Sequence, residues 1–185
     1  MEKKQNLIEW LQAIFAAVLF VLVLRSVIFI PVEVDGHSMY PTLESGDKGI
    51  VNRFEPHIFG YERFDVVVFQ ATKDDTYVKR IIGLPGDEIT YEDDLLYING
   101  EPVEEPYLND LKQALKEGEL LTFNFTLEEL YGEKTVPKDH YFMLGDNRRG
   151  STDSRFHSVG FVEHDKIKGK LEFILLPFDH KKMVK

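Results

Sequence analysis

The sequence predicts a mainly β domain that follows one apolar helix long enough to cross a membrane. Apolar residues dominate positions 7–32 and run without interruption from Ala13 to Leu24. Beyond position 32, short segments rich in β-branched and aromatic residues alternate with turn residues, which is the pattern of strands. The chain has 185 residues, of which 43% are hydrophobic. This length and composition suit one domain of ordinary size with an appendage.

The apolar segment is predicted to be a membrane anchor. As a helix, its residues up to Ile30 would span about 36 Å, which exceeds the roughly 30 Å hydrocarbon core of a bilayer. A buried core helix is disfavoured by this length, and a cleaved signal peptide by the lack of a small-residue cleavage motif. Lys3 and Lys4 precede the segment, so its basic flank is expected in the cytoplasm. The predicted parts are a cytoplasmic tail (1–6), a single-pass transmembrane signal anchor in the lipid bilayer (7–30) and an extracytoplasmic domain (31–185).

Strands are predicted around every motif considered below. Asn99-Gly100 is a hairpin-turn signal directly after one of them. The predicted strands cover residues 64–69, 76–82, 94–98, 140–144 and 170–176.

Residues 102–135 are predicted to form a small insertion between strands. Leu108, Leu111 and Leu115 recur there at helical spacing, and Gly118 can end that helix. Residues 126–130 can form a second short helical turn. The acidic side chains of this region, Glu104 and Glu105 among them, are expected to form a solvated face.

Charge and composition disfavour several classes of function. The net charge of -10 and the pI near 5.1 argue against a nucleic-acid partner, because such proteins need Lys and Arg to replace counterions along the phosphates. The chain has no cysteine, so disulfides, thiolate metal sites and cysteine nucleophiles are absent. Its six histidines form no metal-binding motif. We therefore predict neither a metal nor a cofactor.

The candidate nucleophile is Ser38, in the segment Gly-His-Ser-Met-Tyr-Pro-Thr-Leu at residues 36–43. A serine hydroxyl needs a base to remove its proton, and Lys79 is the candidate base. If residues 76–82 form a strand, Lys79 shares a face with Tyr77 and Ile81. Apolar surroundings destabilise an ammonium, so the pKa of Lys79 should fall toward neutrality. From the residues alone, an ordinary strand lysine that reaches solvent is an equal alternative.

Serine with histidine is a second possible chemistry. His37 adjoins Ser38, and neighbours in an extended segment point to opposite faces, so a histidine base would have to come from a distant position. Ser45 and Lys48 also match a Ser-x-x-Lys pattern, but Ser45-Gly46-Asp47 is typical of a turn. We expect that second match to be a coincidence.

Three separated blocks together resemble the bacterial type I signal peptidases, most closely the Gram-positive form. Residues 36–42 resemble the nucleophile box of that family, residues 77–87 its general-base box, and residues 145–155 its third box. The resemblance implies a signal-peptidase-like catalytic β domain on the outer face of the membrane that cleaves signal peptides from exported preproteins. It assigns the attack to Ser38 and the proton transfer to Lys79.

The resemblance also implies supporting roles. Ser151 is expected to orient the lysine through its hydroxyl, and the Ser38 backbone N–H to contribute to the oxyanion hole. Gly36 stands where some relatives carry a serine as a further oxyanion donor, so that donor is missing or replaced here. The alternative to catalysis is a membrane-anchored β domain that binds exported chains without cutting them. The residues expected to hold the third block together by charge and hydrogen bonds are Asp146, Arg148, Asp153 and Arg155.

Overall fold

Residues 10–21, 29–73 and 75–184 are described in the computed structural model of the chain. Residues 10–21 are helical (α1) and exposed along their whole length. None of the helices within the described ranges combines the length and the apolar character that a membrane crossing requires. The predicted anchor at 7–30 lies partly outside the described residues, and the predicted tail at 1–6 lies wholly outside them.

Strands dominate the remainder, as predicted. The described helices after α1 are α2 (Phe54–Phe59), α3 (Asn109–Gln113) and α4 (Leu127–Tyr131), with 3-10 turns at Pro106–Leu108, His164–Lys166 and Phe178–His180. The strands are β1 (Phe29–Glu33), β2 (Lys48–Asn52), β3 (Val66–Gln70), β4 (Thr76–Gly83), β5 (Ile89–Glu92), β6 (Leu95–Ile98), β7 (Glu101–Val103), β8 (Phe125–Thr126), β9 (His140–Leu144), β10 (Val162–Glu163), β11 (Ile167–Leu176) and β12 (Lys182–Met183).

The described strands form two antiparallel sheets. The larger has the order β1-β2-β11-β3-β4-β9-β10, with β12 paired to β11, and the smaller has the order β7-β6-β5-β8. The five predicted strands correspond to β3, β4, β6, β9 and β11, so the mainly β prediction is confirmed. Asn99 and Gly100 join β6 to β7 with φ values of 54° and 82°, as a tight hairpin turn requires.

The region 102–135, predicted to be a small insertion between strands, itself supplies strands to the smaller sheet. It contains most of β7 and all of β8, and Tyr91 of β5 pairs with Phe125 of β8. The predicted leucine-spaced helix is only the five-residue α3, which ends at Gln113 rather than near Gly118. Leu108 alone of the three leucines is fully buried, so little packing stabilises a longer helix. The second short helix is present as α4, with a Thr126–Glu129 capping box.

The central position of β4 fixes the environment of its side chains. The strand lies between β3 and β9, and its residues from Lys79 to Gly83 are buried. Val78 packs on the core formed by β2, β3 and β11. Tyr77 and Ile81 pack on a second core with β3 and β9. Charged side chains in the middle of such a strand have little access to water, which determines the chemistry available to them.

Gly83 sits where β4 meets the core of the smaller sheet, and we predict that Gly83→Ala destabilises the fold. An added Cβ would lie 2.3 Å from Ile89 Cδ1 and 2.9 Å from Val136 Cγ2. Such overpacking should lower the free energy of unfolding by about 1–3 kcal/mol, measured by guanidinium denaturation. Ile89→Val removes the clashing methyl group, so the double variant should lose less stability than the two single losses combined. Strictly additive losses would contradict this packing.

Candidate active site

Ser38 lies in the connection between β1 and β2, which is folded into a tight turn. The Tyr40 N–H donates to the His37 carbonyl at 3.2 Å, and the Leu43 N–H donates to the Met39 carbonyl at 2.9 Å. Met39 and Leu43 are buried in the core beneath the larger sheet. These contacts anchor the turn and hold Ser38 over the sheet, next to β4.

Lys79 is buried beside Ser38. Its side chain is only 3% exposed, and Nζ lies 2.7 Å from Ser38 Oγ and 3.1 Å from the Val78 carbonyl oxygen. Burial lowers the pKa of Lys79 from its ordinary 10.5 to about 8, although the carboxylates of Asp153 and Asp146 act in the opposite direction. A lysine with this pKa is available as a neutral base in mildly alkaline solution.

A groove of about 580 Å³ opens beside this pair. β1 forms one wall and is also the edge strand of the larger sheet, so its outer backbone is available for pairing. The apolar side chains that line the groove are Ile30, Val32, Val34, Met39, Val68, Tyr77 and Val78.

Asp146 joins the turn of Ser38 to the strand of Lys79. Arg80 Nε and Nη2 donate to its two carboxylate oxygens at 2.9 and 2.7 Å, and both side chains are fully buried. Thr42 Oγ1 donates to the same carboxylate at 2.5 Å. Burial alone would lower the pKa of Arg80, but the hydrogen bond and charge of Asp146 raise it, so the guanidinium stays charged. The role of Arg80 was not predicted; an arginine within a buried strand was the signal that a buried partner carboxylate had to exist.

Asp153 and Arg155 make their contacts within the third block. Arg155 Nε and Nη2 each donate to the Asp153 carboxylate at 2.8 Å. Asp153 also accepts the Gly145 N–H at 3.0 Å, and Arg155 Nη2 donates to the Arg148 carbonyl at 2.7 Å. These bonds close residues 145–155 into a rigid loop behind Ser38 and Lys79.

Two residues that the resemblance placed at the site do not make the contacts expected of them. The Ser151 hydroxyl is buried and accepts or donates no hydrogen bond within the described residues, so it is not bonded to Lys79 in this structure. The Gly36 N–H donates to Ser45 Oγ at 3.2 Å, in a backbone conformation with φ 93°. Gly36 therefore offers neither a side-chain hydroxyl nor an unoccupied N–H to a substrate.

The rival chemistries gain no support from the described part of the chain. Ser38 makes no hydrogen bond there with a histidine, and its hydroxyl contacts Lys79 instead. The same residues contain no group of three or more His, Asp or Glu side chains placed to hold a metal ion.

Comparison with known proteins identifies the family. Residues 7–176 match the family described as signal peptidase, peptidase S26. The chain belongs to this signal peptidase family. It is therefore a peptidase, and the recognition of the family from three sequence blocks is confirmed.

Several relatives resemble the chain over most of its length. The signal peptidase I of Bacillus caldolyticus is 51% identical over 164 residues, which is 89% of this chain and 88% of the relative. The signal peptidase I S of Bacillus subtilis (strain 168) is 43% identical over 178 residues, 96% of this chain and 93% of the relative. The crystal structure of a signal peptidase I from Enterococcus faecalis V583 is 43% identical, with a TM-score of 0.57, and covers 60% of this chain and 96% of that one. The likeness therefore covers both sequence and fold.

The Arg148 side chain extends from the third block and joins the loop at residues 145–155 to the smaller sheet. Its guanidinium pairs with the Glu105 carboxylate and donates to Tyr91 Oη at 2.8 Å and to Thr122 Oγ1 at 3.1 Å. Tyr107 Oη donates to the same carboxylate at 2.7 Å. Burial alone would raise the pKa of Glu105, but the Arg148 charge holds it below its ordinary value.

The expectation that Glu105 belongs to a solvated face was wrong. Its side chain is only 5% exposed, because a buried arginine requires a buried counter-charge. Its neighbour Glu104 is exposed, as expected. No sequence signal distinguishes the two, since Arg148 lies 43 positions away from Glu105.

We predict that Glu105→Gln lowers the free energy of unfolding by about 3–5 kcal/mol, because it leaves the Arg148 charge buried without a partner. Glu104→Gln is the matched control and should change stability by about 0.5 kcal/mol or less. Guanidinium denaturation of the two purified variants measures both values. Equal stabilities would show that the Arg148–Glu105 pair does not hold the loop to the smaller sheet.

Proposed function

We propose that this chain removes N-terminal signal peptides from exported preproteins, with Ser38 as nucleophile and Lys79 as general base. The proposal depends chiefly on one observation, the 2.7 Å separation of Lys79 Nζ and Ser38 Oγ at a site where the lysine is buried. Burial supplies the lowered pKa that a lysine needs to accept a proton. Membership of the signal peptidase family supports the choice of reaction.

In the proposed reaction, Ser38 Oγ adds to the carbonyl carbon of the scissile peptide while its proton passes to neutral Lys79. The resulting oxyanion is stabilised by the Ser38 backbone N–H. Collapse of the tetrahedral intermediate breaks the C–N bond, and the Lys79 ammonium returns the proton to the departing amine. Water then attacks the acyl ester, with Lys79 again taking the proton. The C–O bond to Ser38 breaks, Lys79 returns the proton to Ser38 Oγ, and the enzyme is regenerated without metal or cofactor.

The substrate is proposed to bind as an added strand along β1. Main-chain hydrogen bonds to this edge strand would fix the register, and alternate side chains would enter the apolar groove. The small residues that precede the cut in signal peptides fit a groove of about 580 Å³ that is shared among several subsites. The third block is proposed to hold the site through Asp146, Arg148, Asp153 and Arg155. The role of orienting the lysine stays a prediction for Ser151, whose hydroxyl makes no hydrogen bond to Lys79 in this structure.

The enzyme is proposed to act at the outer face of the cell membrane, with its N-terminus in the cytoplasm. Its anchor is the part of the predicted segment 7–30 that precedes β1, because Phe29 and Ile30 are strand residues and Ile30 lines the groove. The length of the apolar segment supports a span, and the basic residues before it support this orientation. The large apolar side chains of α1, including Trp10, Phe15 and Phe20, are exposed, and lipid would cover them. Only a few residues separate the anchor from Ser38, so the dyad would meet signal peptides that already lie in the membrane.

Cleavage of a preprotein with an Ala-x-Ala site tests this function. With full-length protein in detergent, Ser38→Ala should abolish cleavage, and Lys79→Met should reduce kcat at least about a hundredfold. The controls Ser158→Ala and Lys134→Met replace exposed residues of the same types and should retain wild-type rates. Peptide binding without cleavage by the wild-type protein would instead support the non-catalytic alternative.

The pH dependence tests the role of Lys79 separately. Because only neutral lysine accepts the serine proton, kcat should rise with pH, reach half its maximum near pH 8 and level off above it. The measurement is a pH profile of kcat under saturating substrate. A rate that is constant from pH 7 to pH 10 would exclude Lys79 as the base.

A further inference from the structure

Asn147 contacts both peptide groups that flank the nucleophile. Its backbone N–H donates to the Ser38 carbonyl at 3.1 Å, and its side-chain Nδ2 donates to the His37 carbonyl at 3.0 Å. Its Oδ1 accepts the Gly150 N–H at 3.1 Å, which fixes the orientation of the amide. Asn147 therefore links the turn of Ser38 to the rigid third block through both its backbone and its side chain.

The bond to the His37 carbonyl also determines the direction of the Ser38 N–H. The peptide group between His37 and Ser38 is trans, so its C=O and N–H point in opposite directions within one plane. Holding the carbonyl toward Asn147 consequently turns the N–H away from the third block. The Tyr40 N–H also donates to this carbonyl, but Tyr40 belongs to the same turn. Asn147 belongs to the third block and so fixes the carbonyl relative to a different segment. Within the described residues, the Ser38 N–H donates to no protein acceptor.

We propose that Asn147 is a positioning residue of the oxyanion hole, which it forms by fixing the His37–Ser38 peptide plane; the inference depends on the proposed function. Oxyanion stabilisation requires a donor that is already aimed at the developing charge, because hydrogen bonds weaken steeply with misalignment. Gly36 has no side-chain donor, and its N–H is bound to Ser45. Stabilisation of the oxyanion therefore depends more strongly on the direction of the Ser38 N–H in this chain.

Asn147→Asp and Asn147→Ala test the proposal by removing the Nδ2 donor. The first keeps an oxygen that can accept the Gly150 N–H, and the second adds no charge. Asn124 offers a matched control, since its side chain is exposed and accepts the Asp93 N–H at 3.0 Å. Asn124→Asp and Asn124→Ala introduce the same changes away from Ser38 and should behave as wild type.

Steady-state kinetics across pH give the first readout. A new carboxylate near Lys79 would raise the lysine pKa, so kcat is compared on the alkaline plateau, where Lys79 is neutral in every variant. Both Asn147 variants should lower the plateau kcat by about tenfold, which is less than the roughly hundredfold or greater loss seen when an oxyanion donor is removed altogether. KM should change less than about twofold, because the contact acts on the transition state.

A transition-state mimic gives the second readout. Ser38 Oγ adds to the carbonyl of a peptide aldehyde that ends in alanine, and the serine proton passes to Lys79 as an oxyanion forms. The same peptide as a C-terminal amide is not expected to form this adduct under the assay conditions. The aldehyde inhibition constant should rise by about the same factor as kcat falls, whereas the dissociation constant of the amide should stay unchanged.

Three results would overturn the inference. One is an unchanged plateau kcat in the Asn147 variants, and another is a rise in KM alone. The third is an equal weakening of aldehyde and amide, which would indicate a change in groove shape; circular dichroism and thermal unfolding would show whether the fold itself is altered. If the wild-type protein cleaves no signal peptide, the proposed function fails and this inference fails with it.

Discussion

The desolvation of one ammonium group constrains the rest of this structure. Lys79 is buried on the central strand of a sheet, and its pKa falls from 10.5 to about 8 as a result. That shift corresponds to a free-energy cost on the order of 3 kcal/mol for holding the protonated lysine in the fold below pH 8. Because the folded-state pKa is the lower one, this cost diminishes as the pH rises from about 8 to 10.5. The fold therefore gives up stability at neutral pH, and in the proposed mechanism this cost keeps a neutral base beside Ser38.

The two carboxylates that act on Lys79 are each paired with an arginine. Asp146 and Asp153 both raise the pKa of Lys79 and would cancel the effect of burial if they acted as its counter-ions. Each is instead engaged by a guanidinium through two hydrogen bonds, Asp146 by Arg80 and Asp153 by Arg155. The two carboxylates therefore organise the loop at residues 145–155 through guanidinium groups and not through the lysine.

The sequence predicted the parts of this site that depend on local pattern. Strand alternation placed Lys79 within β4, and three blocks with the type I signal peptidase pattern identified the family. Contacts between distant segments were not predictable, because no repeating sequence pattern indicates them. The burial of Glu105 opposite Arg148 and the hydrogen bonds of Asn147 to His37 and Ser38 are two examples. The leucine spacing of 108–115 predicted too long a helix for a related reason: propensity favours a helix, but packing determines its length, and only Leu108 has a buried place.

The most direct test of this account is a titration of Lys79 itself by NMR, with carbon-13 at the lysine Cε positions and Lys79→Met to assign the resonance. The account predicts that one Cε signal, absent from the variant, titrates with an apparent pKa of about 8, while exposed lysines titrate near their ordinary value. A Lys79 resonance that titrates above pH 10 would contradict it. In that case the lysine would be charged at the pH of the reaction, and the base that activates Ser38 would have to be another group.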